Sequence, residues 1–537
     1  MLRCFCECFH SLTFSVNPFL SLQLYLVMTE ISESESTPLD SMTPWWRRLW
    51  DPCDVASVAF FRIAFAGIMV WHVARFLSNN WVEYYYVDSR HHLKYFGFEW
   101  VEPMMYGGAM RQMFYLMGFA AVGVGLGLFY RLSAITLFVT YTYSFLAEAA
   151  LFQNHYYMMS LIAFLLVLIP AHRSFSLDAL IFPENASPFI PNWCRWVLML
   201  MVALPYVYGG IAKIDGDWLR AMPVGFWISE KSHLPVIGPY LTEHWVAWVV
   251  SYAGLILDLA IVPLLMWRKT RIPAYIVIVL FHVMNAALFN IDVFPWMMIL
   301  LTTIFFAPDW PRRLLRLKPA QAETGEPPSR TFWQKASLSV VGLFVVWQLV
   351  FPLRHWAYPG NPSWTEEGHQ FAWRMMLRHK EVFIRFYATD GEKDETVQIP
   401  FDRMLNAKQL GEMAISPDQI VATADYFYDV ARKVRMKDVS IRAVVIASLN
   451  GRKPQLMIDP DLDLLTVNRQ WGHQPWIKEL EEPFRSEPWD VPSADWPEVL
   501  GIELPEAVVP TAPPPPGSDQ HSHDHGHEGH DHSAEDH

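Results

Sequence analysis

Between Val55 and Phe351 the chain is a succession of long apolar runs separated by short polar or basic connections. Hydropathy divides it into about nine segments able to cross a hydrocarbon core. They run over residues 55–76, 104–130, 132–152, 156–171, 193–212, 245–267, 273–289, 294–307 and 335–351. Basic residues collect at alternate ends: Arg47 and Arg48, then Arg131, His172 with Arg173, Arg268 with Lys269 and Arg271, and last Arg312, Arg313, Arg316 and Lys318. Such an excess marks the cytoplasmic side, so the N-terminal end is predicted inside. Counting spans from there puts Asn154, His155, the run 208–218, Asn290, Asp292 and everything after Phe351 on the outer side. Polar groups far apart in sequence would then share one outer vestibule. The competing explanation is that polar residues end every span and some share a side by chance.

After Pro352 the pattern turns to mixed polar and apolar sequence of soluble type. Residues 381–388, 441–451 and 454–459 alternate as strands do, a helix is predicted over 416–435, and Asn450–Gly451 is a strong hairpin signal. The predicted fold class is therefore an α-helical polytopic membrane protein with about nine transmembrane helices and a C-terminal extramembrane β-rich or α+β domain. Its parts are an N-terminal cytoplasmic segment (1–50), a transmembrane domain (51–352), an outer domain (353–504) and a Pro/His-rich tail (505–537). Residues 1–27 look unlike the rest of the chain, and Met28 opens a polar stretch, so the first 27 residues are read as an upstream start-codon artefact; a targeting segment is the alternative. In the tail, His521, His523, His525 and His527 offer imidazoles for weak metal binding, against the alternative of a simply solvated segment.

Composition supports the membrane assignment: 52% of the 537 residues are hydrophobic and 18% charged, too apolar for a soluble chain of this length. The net charge of −13 comes partly from the acidic tail and argues against a nucleic-acid partner. No cysteine follows Cys194, so no disulfide framework is expected in the outer domain. No metal site is read in the core.

The run YGGIAKIDGDW, residues 208–218, places Lys213 at the end of an apolar segment with Asp215, Asp217 and Trp218 just beyond. Lys213 is open to two roles. It can be a snorkelling anchor, with its stem in lipid and its ammonium at the headgroups. It can also be a base, since a lysine against apolar walls gives up its charge readily.

Together with 51–63 (DPCDVASVAFFRI), 153–158 (QNHYYM) and 281–296 (FHVMNAALFNIDVFPW), this run resembles the vitamin K-dependent γ-glutamyl carboxylases and their bacterial relatives sharing the HTTM domain. Residues 364–376 (WTEEGHQFAWRMM) and 446–464 (IASLNGRKPQLMIDPDLDL) resemble parts of that family's lumenal domain. The resemblance covers roughly residues 51–480 in order and implies a bacterial-type homologue in an inner membrane, its C-terminal domain periplasmic. It implies an enzyme that epoxidises reduced vitamin K (menaquinol or phylloquinol) with O2 and adds CO2 at the γ-carbon of a peptide glutamate, with no metal required. The implied partners are membrane lipid, an isoprenoid quinol and a glutamate-containing peptide or protein.

By the same resemblance Lys213 is the catalytic base, and His155, after Asn154, stands near the glutamate carbanion and CO2. Asp215, Asp217 and Trp218 share the motif of Lys213. His282 and Asn285, three apart, form a polar face on a later helix, although His282 alone also reads as a satisfied core histidine. His355, Trp364, His369 and Trp373 complete the implied binding set, and Trp364, His369 and Trp373 are predicted to turn toward the membrane. Asp258, in an apolar run, is expected to form a structural ion pair with Arg62, Arg131 or another intramembrane base. The chain departs from the vertebrate carboxylases where His369 replaces a tyrosine, where Arg378 and Lys380 stand nearby, and where the inter-domain disulfide has no counterpart. These departures fall where a peptide glutamate would bind, so the resemblance carries quinol epoxidation further than carboxylation. An uncoupled quinol epoxidase and a non-enzymatic transporter or scaffold are the alternatives.

Overall fold

The computed structural model describes residues 45–289, 291–320, 332–485 and 487–509. The first 27 residues, Asn290 and the tail histidines His521, His523, His525 and His527 lie outside the described residues.

Each of the nine apolar segments is helical, because in an apolar surrounding a chain must satisfy its backbone N–H and C=O groups internally. The helices are α1 (Ala56–Ser78), α2 (Ala109–Leu126), α3 (Tyr130–Ala147), α4 (Asn154–Leu168), α5 (Trp193–Ala212), α6 (His244–Met266), α7 (Arg271–Leu288), α8 (Phe294–Leu301) and α9 (Phe332–Val350). Six stretches are long and apolar enough to cross a membrane by length and composition: α1, α2, α5, α6, α7 and Lys335–Ala357. The other three differ from the expectation of full spans. The 15 residues of α4 and the short helix α8 reach less than the ~30 Å of a hydrocarbon core, and α3 carries Arg131 and a run of hydroxyl-bearing residues. Their buried faces pack on longer neighbours, which replaces contact with lipid: α1 to α4 pack in sequence, α6 lies on α5, and α8 returns against α1.

Two short strands, β1 (Pro52–Asp54) and β2 (Phe189–Pro191), pair antiparallel at one end of the bundle. Arg312 Nε binds both oxygens of Asp54 (2.8 and 3.0 Å), and Ser57 N–H donates to the Pro308 carbonyl, so the basic clusters around 173 and 312 share that end. The C-terminal part of the chain covers the opposite end. Its sheet has the order β4 (Glu395–Ile399), β3 (Lys380–Asp390), β5 (Val439–Leu449), β6 (Gln455–Leu456), all antiparallel.

Alternation along β3 divides the sheet's faces. Phe386 meets Phe427 (4.9 Å between ring centroids) on helix α11 (Pro417–Lys433), which follows α10 (Ala407–Ile415). Phe383 and Tyr387 pack with Trp496 on the other face. Strand β4 and helix α10 were not predicted; the strand is five residues long and lies at the sheet's edge, so its one-sided burial leaves little periodicity. The Asn450–Gly451 turn forms with both residues at positive φ (51° and 76°), as an Asn–Gly hairpin requires.

Candidate functional site

Helix α5 ends at Ala212 with Lys213 as its cap, and the side chain turns inward rather than snorkelling out: the residue is 8% exposed. Lys213 Nζ donates to Asp258 Oδ2 at 2.7 Å and to the Gly209 carbonyl at 3.4 Å, and lies 5.1 Å from the centre of the Trp218 ring. Of the partners expected for Asp258, the base is Lys213 and not Arg62 or Arg131. Arg62 is spent on the carbonyls of Gly125, Ala171 and Phe175, and Arg131 on that of Val167, so the acid of α6 faces the lysine of α5 instead.

Gly210 makes this meeting possible: a Cβ there would stand 2.7 Å from Leu259 Cδ2 and 3.1 Å from the Leu259 backbone nitrogen. Without a side chain the two helices close until the ion pair forms. Above it, a Cβ on Gly209 would touch Met375 Cε at 3.4 Å, so the segment 364–376 lies over the Lys213–Asp258 pair. Trp218 is fixed by an Nε1–H bond to the Ser251 carbonyl (3.0 Å) and closes one side.

Two turns below Lys213 on the same helix, Tyr206 OH lies 2.8 Å from His282 Nε2. Phe294 stands between two histidines, its centroid 5.7 Å from both His282 and His155. Asn154 Nδ2 donates to the Arg374 carbonyl (3.4 Å), and Tyr157 meets Trp373 (5.3 Å) while accepting from Gln348 Nε2 (2.9 Å). The polar atoms Asn154 Oδ1, His155 Nε2, His282 Nδ1 and Trp373 Nε1 are buried with no hydrogen-bond partner. Asn285 is half-buried one turn beyond His282. Residues from α4, α5, α6, α7, α8 and the segment 364–376 are therefore linked by a series of contacts.

The remaining predicted residues are placed differently. Asp217 turns away from Lys213 and receives Arg452 through two bonds (2.6 and 2.7 Å) and Asn450 Nδ2 (2.9 Å), all buried. It ties the loop after α5 to the β5–β6 turn. Asp215 accepts from the Asp217 backbone (3.0 Å) and shares the field of Arg374. Trp364 does not turn to the membrane: it is fully buried in the C-terminal region, its Nε1 donating to the Lys478 carbonyl (2.7 Å). His355 Nδ1–H donates to the Pro352 carbonyl (2.8 Å), and the residue backs onto Gly368.

His369 faces a buried charge cluster, its Nδ1 3.9 Å from Glu366 Oε2. Glu366 Oε1 binds Arg378 Nε (2.5 Å) and Lys380 Nζ (2.8 Å), and Lys380 completes its donors on the carbonyls of Trp364 and Ile415. Burial pushes the Glu366 carboxyl up, but Arg378, Lys380 and His369 outweigh it and hold it down at about 2. A free glutamate titrates near ~4.3, so this stabilisation, on the order of 3 kcal/mol, is complete above that pH and is lost as pH falls through about 2. Thermal midpoints of the wild type should fall between pH 5 and 2.5 more steeply than those of Glu366→Gln. Parallel curves would remove the cluster from the acid response.

Sequence reasoning missed Arg452, Asn450, Met375 and Tyr206. Asn450 was legible only as a turn residue, and Tyr206 carried a signal in lying seven positions before Lys213, on the same helix face. Among the described residues no group of three or more His, Cys, Asp or Glu is disposed to hold a metal ion.

Residues 50–310 match the HTTM domain, and residues 333–483 match the vitamin K-dependent gamma-carboxylase lumenal domain. No solved structure matches the chain significantly. With a helical membrane bundle, a buried lysine at the end of its fifth helix and a sheet domain closing over it, this chain belongs to the vitamin K-dependent gamma-carboxylase family, built as an HTTM domain followed by the family's lumenal domain.

Proposed function

We propose that this protein oxidises a reduced vitamin K-type naphthoquinol with O2 and couples the oxidation to CO2 addition at the γ-carbon of a peptide glutamate. The observation that carries this is the buried Lys213–Asp258 pair beneath Met375. The quinol is oxidised by O2, and that oxidation supplies the strong base needed to remove a weakly acidic γ-hydrogen.

The chain's own residues prepare that chemistry. Moving the proton of Lys213 Nζ onto Asp258 Oδ2, along their 2.7 Å hydrogen bond, exchanges a buried ion pair for a neutral one and leaves an amine lone pair. That amine takes the quinol hydroxyl proton. Trp218 and the segment 364–376 keep bulk water from the reacting centre. The unpartnered His282 Nδ1 and Trp373 Nε1 suit an aromatic ring bearing polar oxygens, the apolar helices suit an isoprenoid tail, and the unpartnered Asn154 Oδ1 and His155 Nε2 are left for the glutamate. Asp217 serves as the clamp between domains rather than as a ligand.

Incubating the purified protein with reduced vitamin K, O2, labelled CO2 and a glutamyl peptide tests the proposal through two outputs, epoxide and fixed label. Epoxide without label would leave an uncoupled quinol epoxidase; neither would end the enzymatic assignment. His155→Ala should reduce label by ~10²–10⁴, the usual worth of general acid–base help, and epoxide by much less. Equal losses would place His155 in the quinol pocket instead.

The site is proposed to face the exported side, in a bacterial inner membrane, because the arginine clusters lie at the opposite end. Gly216 is exposed and a Cβ there would meet only Arg220 Nη1, at 4.0 Å, so a Gly216→Cys protein should react with an impermeant thiol reagent added outside. Labelling only after the membrane is opened would reverse the topology.

A further inference from the structure

At the end of the bundle away from Lys213 a groove of about 830 Å³ opens between α1 and α2. Its floor is made of small residues, Ala66 and Gly67 on α1 and Ala121 and Gly125 on α2. A Cβ on Gly67 would meet nothing within 4 Å, so the furrow is open where a side chain would otherwise lie. Its rim is apolar and exposed, with Ile63, Val122 and Leu126 facing outward as lipid-facing residues do.

The mouth has a different chemistry. Arg173 lines it, and among the described residues no hydrogen bond or ion pair reaches its guanidinium. Arg312 also lines it; its Nε is held by Asp54, and among the described residues no hydrogen bond reaches its Nη1. The mouth is closed on one side by the short helix Leu177–Ile181, whose Leu180 is 78% exposed. That helix is anchored: both Asp178 oxygens accept backbone N–H groups of α3's start, at 2.8 Å each. An anchored helix with exposed apolar side chains, beside arginines with open donors, is an interfacial element.

We propose that this groove binds one anionic membrane phospholipid, an acyl chain lying along Ala66, Gly67, Ala121 and Gly125 and the phosphate on Arg173 and Arg312. Charge complementarity selects the occupant. An isoprenoid quinone would fill the apolar floor and its carbonyl oxygens would accept from an arginine, but being neutral it brings no counter-charge to the two guanidinium groups, as a phosphate does. The 20 residues of α5 separate this mouth from Lys213 by ~30 Å, so the site is independent of the quinol chemistry proposed above.

Native mass spectrometry of the full chain, released from micelles holding equal phosphatidylglycerol and phosphatidylcholine with identical acyl chains, tests it. One phosphatidylglycerol should be retained, and its preference over phosphatidylcholine should drop about five-fold in Arg173→Gln, the usual worth of one arginine at a lipid surface. Arg173→Lys should keep most of that preference. Gly67→Phe, which fills the furrow from an open position, should lower retention of both lipids. Equal retention of the two lipids by the wild type, a dimer mass with no bound lipid, or wild-type retention in the Arg173→Gln/Gly67→Phe protein would each overturn the proposal. An unchanged unfolding midpoint in the variants excludes loss of fold as the cause.

Discussion

Lys213→Arg should fold and yet form epoxide at least ~10²-fold more slowly than the wild type, the lower bound usual for loss of a positioned base. Arginine keeps a positive charge for Asp258, so the ion pair at the helix end survives in kind. What it cannot keep is the chemistry, because a guanidinium stays protonated and offers no lone pair to the quinol hydroxyl. Lys213→Ala is the less informative variant. It removes the base and also leaves the buried Asp258 unpaired, a change that costs ~3–5 kcal/mol in comparable sites. Single-turnover epoxide formation in Lys213→Arg, measured beside its thermal midpoint, separates the two effects. A normal rate would leave Lys213 as the structural ion-pair partner of Asp258. Asp258→Asn should slow the reaction with it, since an amide cannot take the lysine's proton.

The largest structural effect is expected at Asp217. Its carboxylate holds Arg452 bidentately and Asn450 as well, with the Asp217 and Arg452 side chains 5% and 8% exposed. Asp217→Ala leaves a buried guanidinium without its counter-charge and should cost ~3–5 kcal/mol. The lumenal domain is then expected to loosen from the membrane domain. Hydrogen exchange over the β5–β6 turn reads this directly, and the KM for a glutamyl peptide should rise because the cover above Lys213 is no longer held. The double variant Asp217→Ala/Arg452→Met removes both charges and should recover much of the lost stability. If the double-mutant cycle gives a coupling under ~0.5 kcal/mol, Asp217 and Arg452 do not form the clamp.

The sequence by itself determined the helical membrane bundle, the approximate limits of its segments and the C-terminal sheet domain, and it singled out Lys213 as a candidate. All of these rest on local properties. A long apolar run must be helical in lipid, alternation writes a strand, and a lone lysine at the end of an apolar helix stands out against its neighbours. Only the tertiary structure decided what each polar side chain faces. Asp258 was expected to meet Arg62, Arg131 or another intramembrane base, and Gly210 decides among them by letting α6 approach α5 closely enough to put Asp258 on Lys213, 45 positions earlier in the chain. Asp217 was grouped with Lys213 by adjacency, and it instead reaches Arg452, 235 positions later. Trp364 was expected at the membrane and lies in the lumenal core. Burial and hydropathy are sums over neighbouring residues and can be read along the chain. The partner of a charge depends on helix rotation and domain docking, and no local pattern records either.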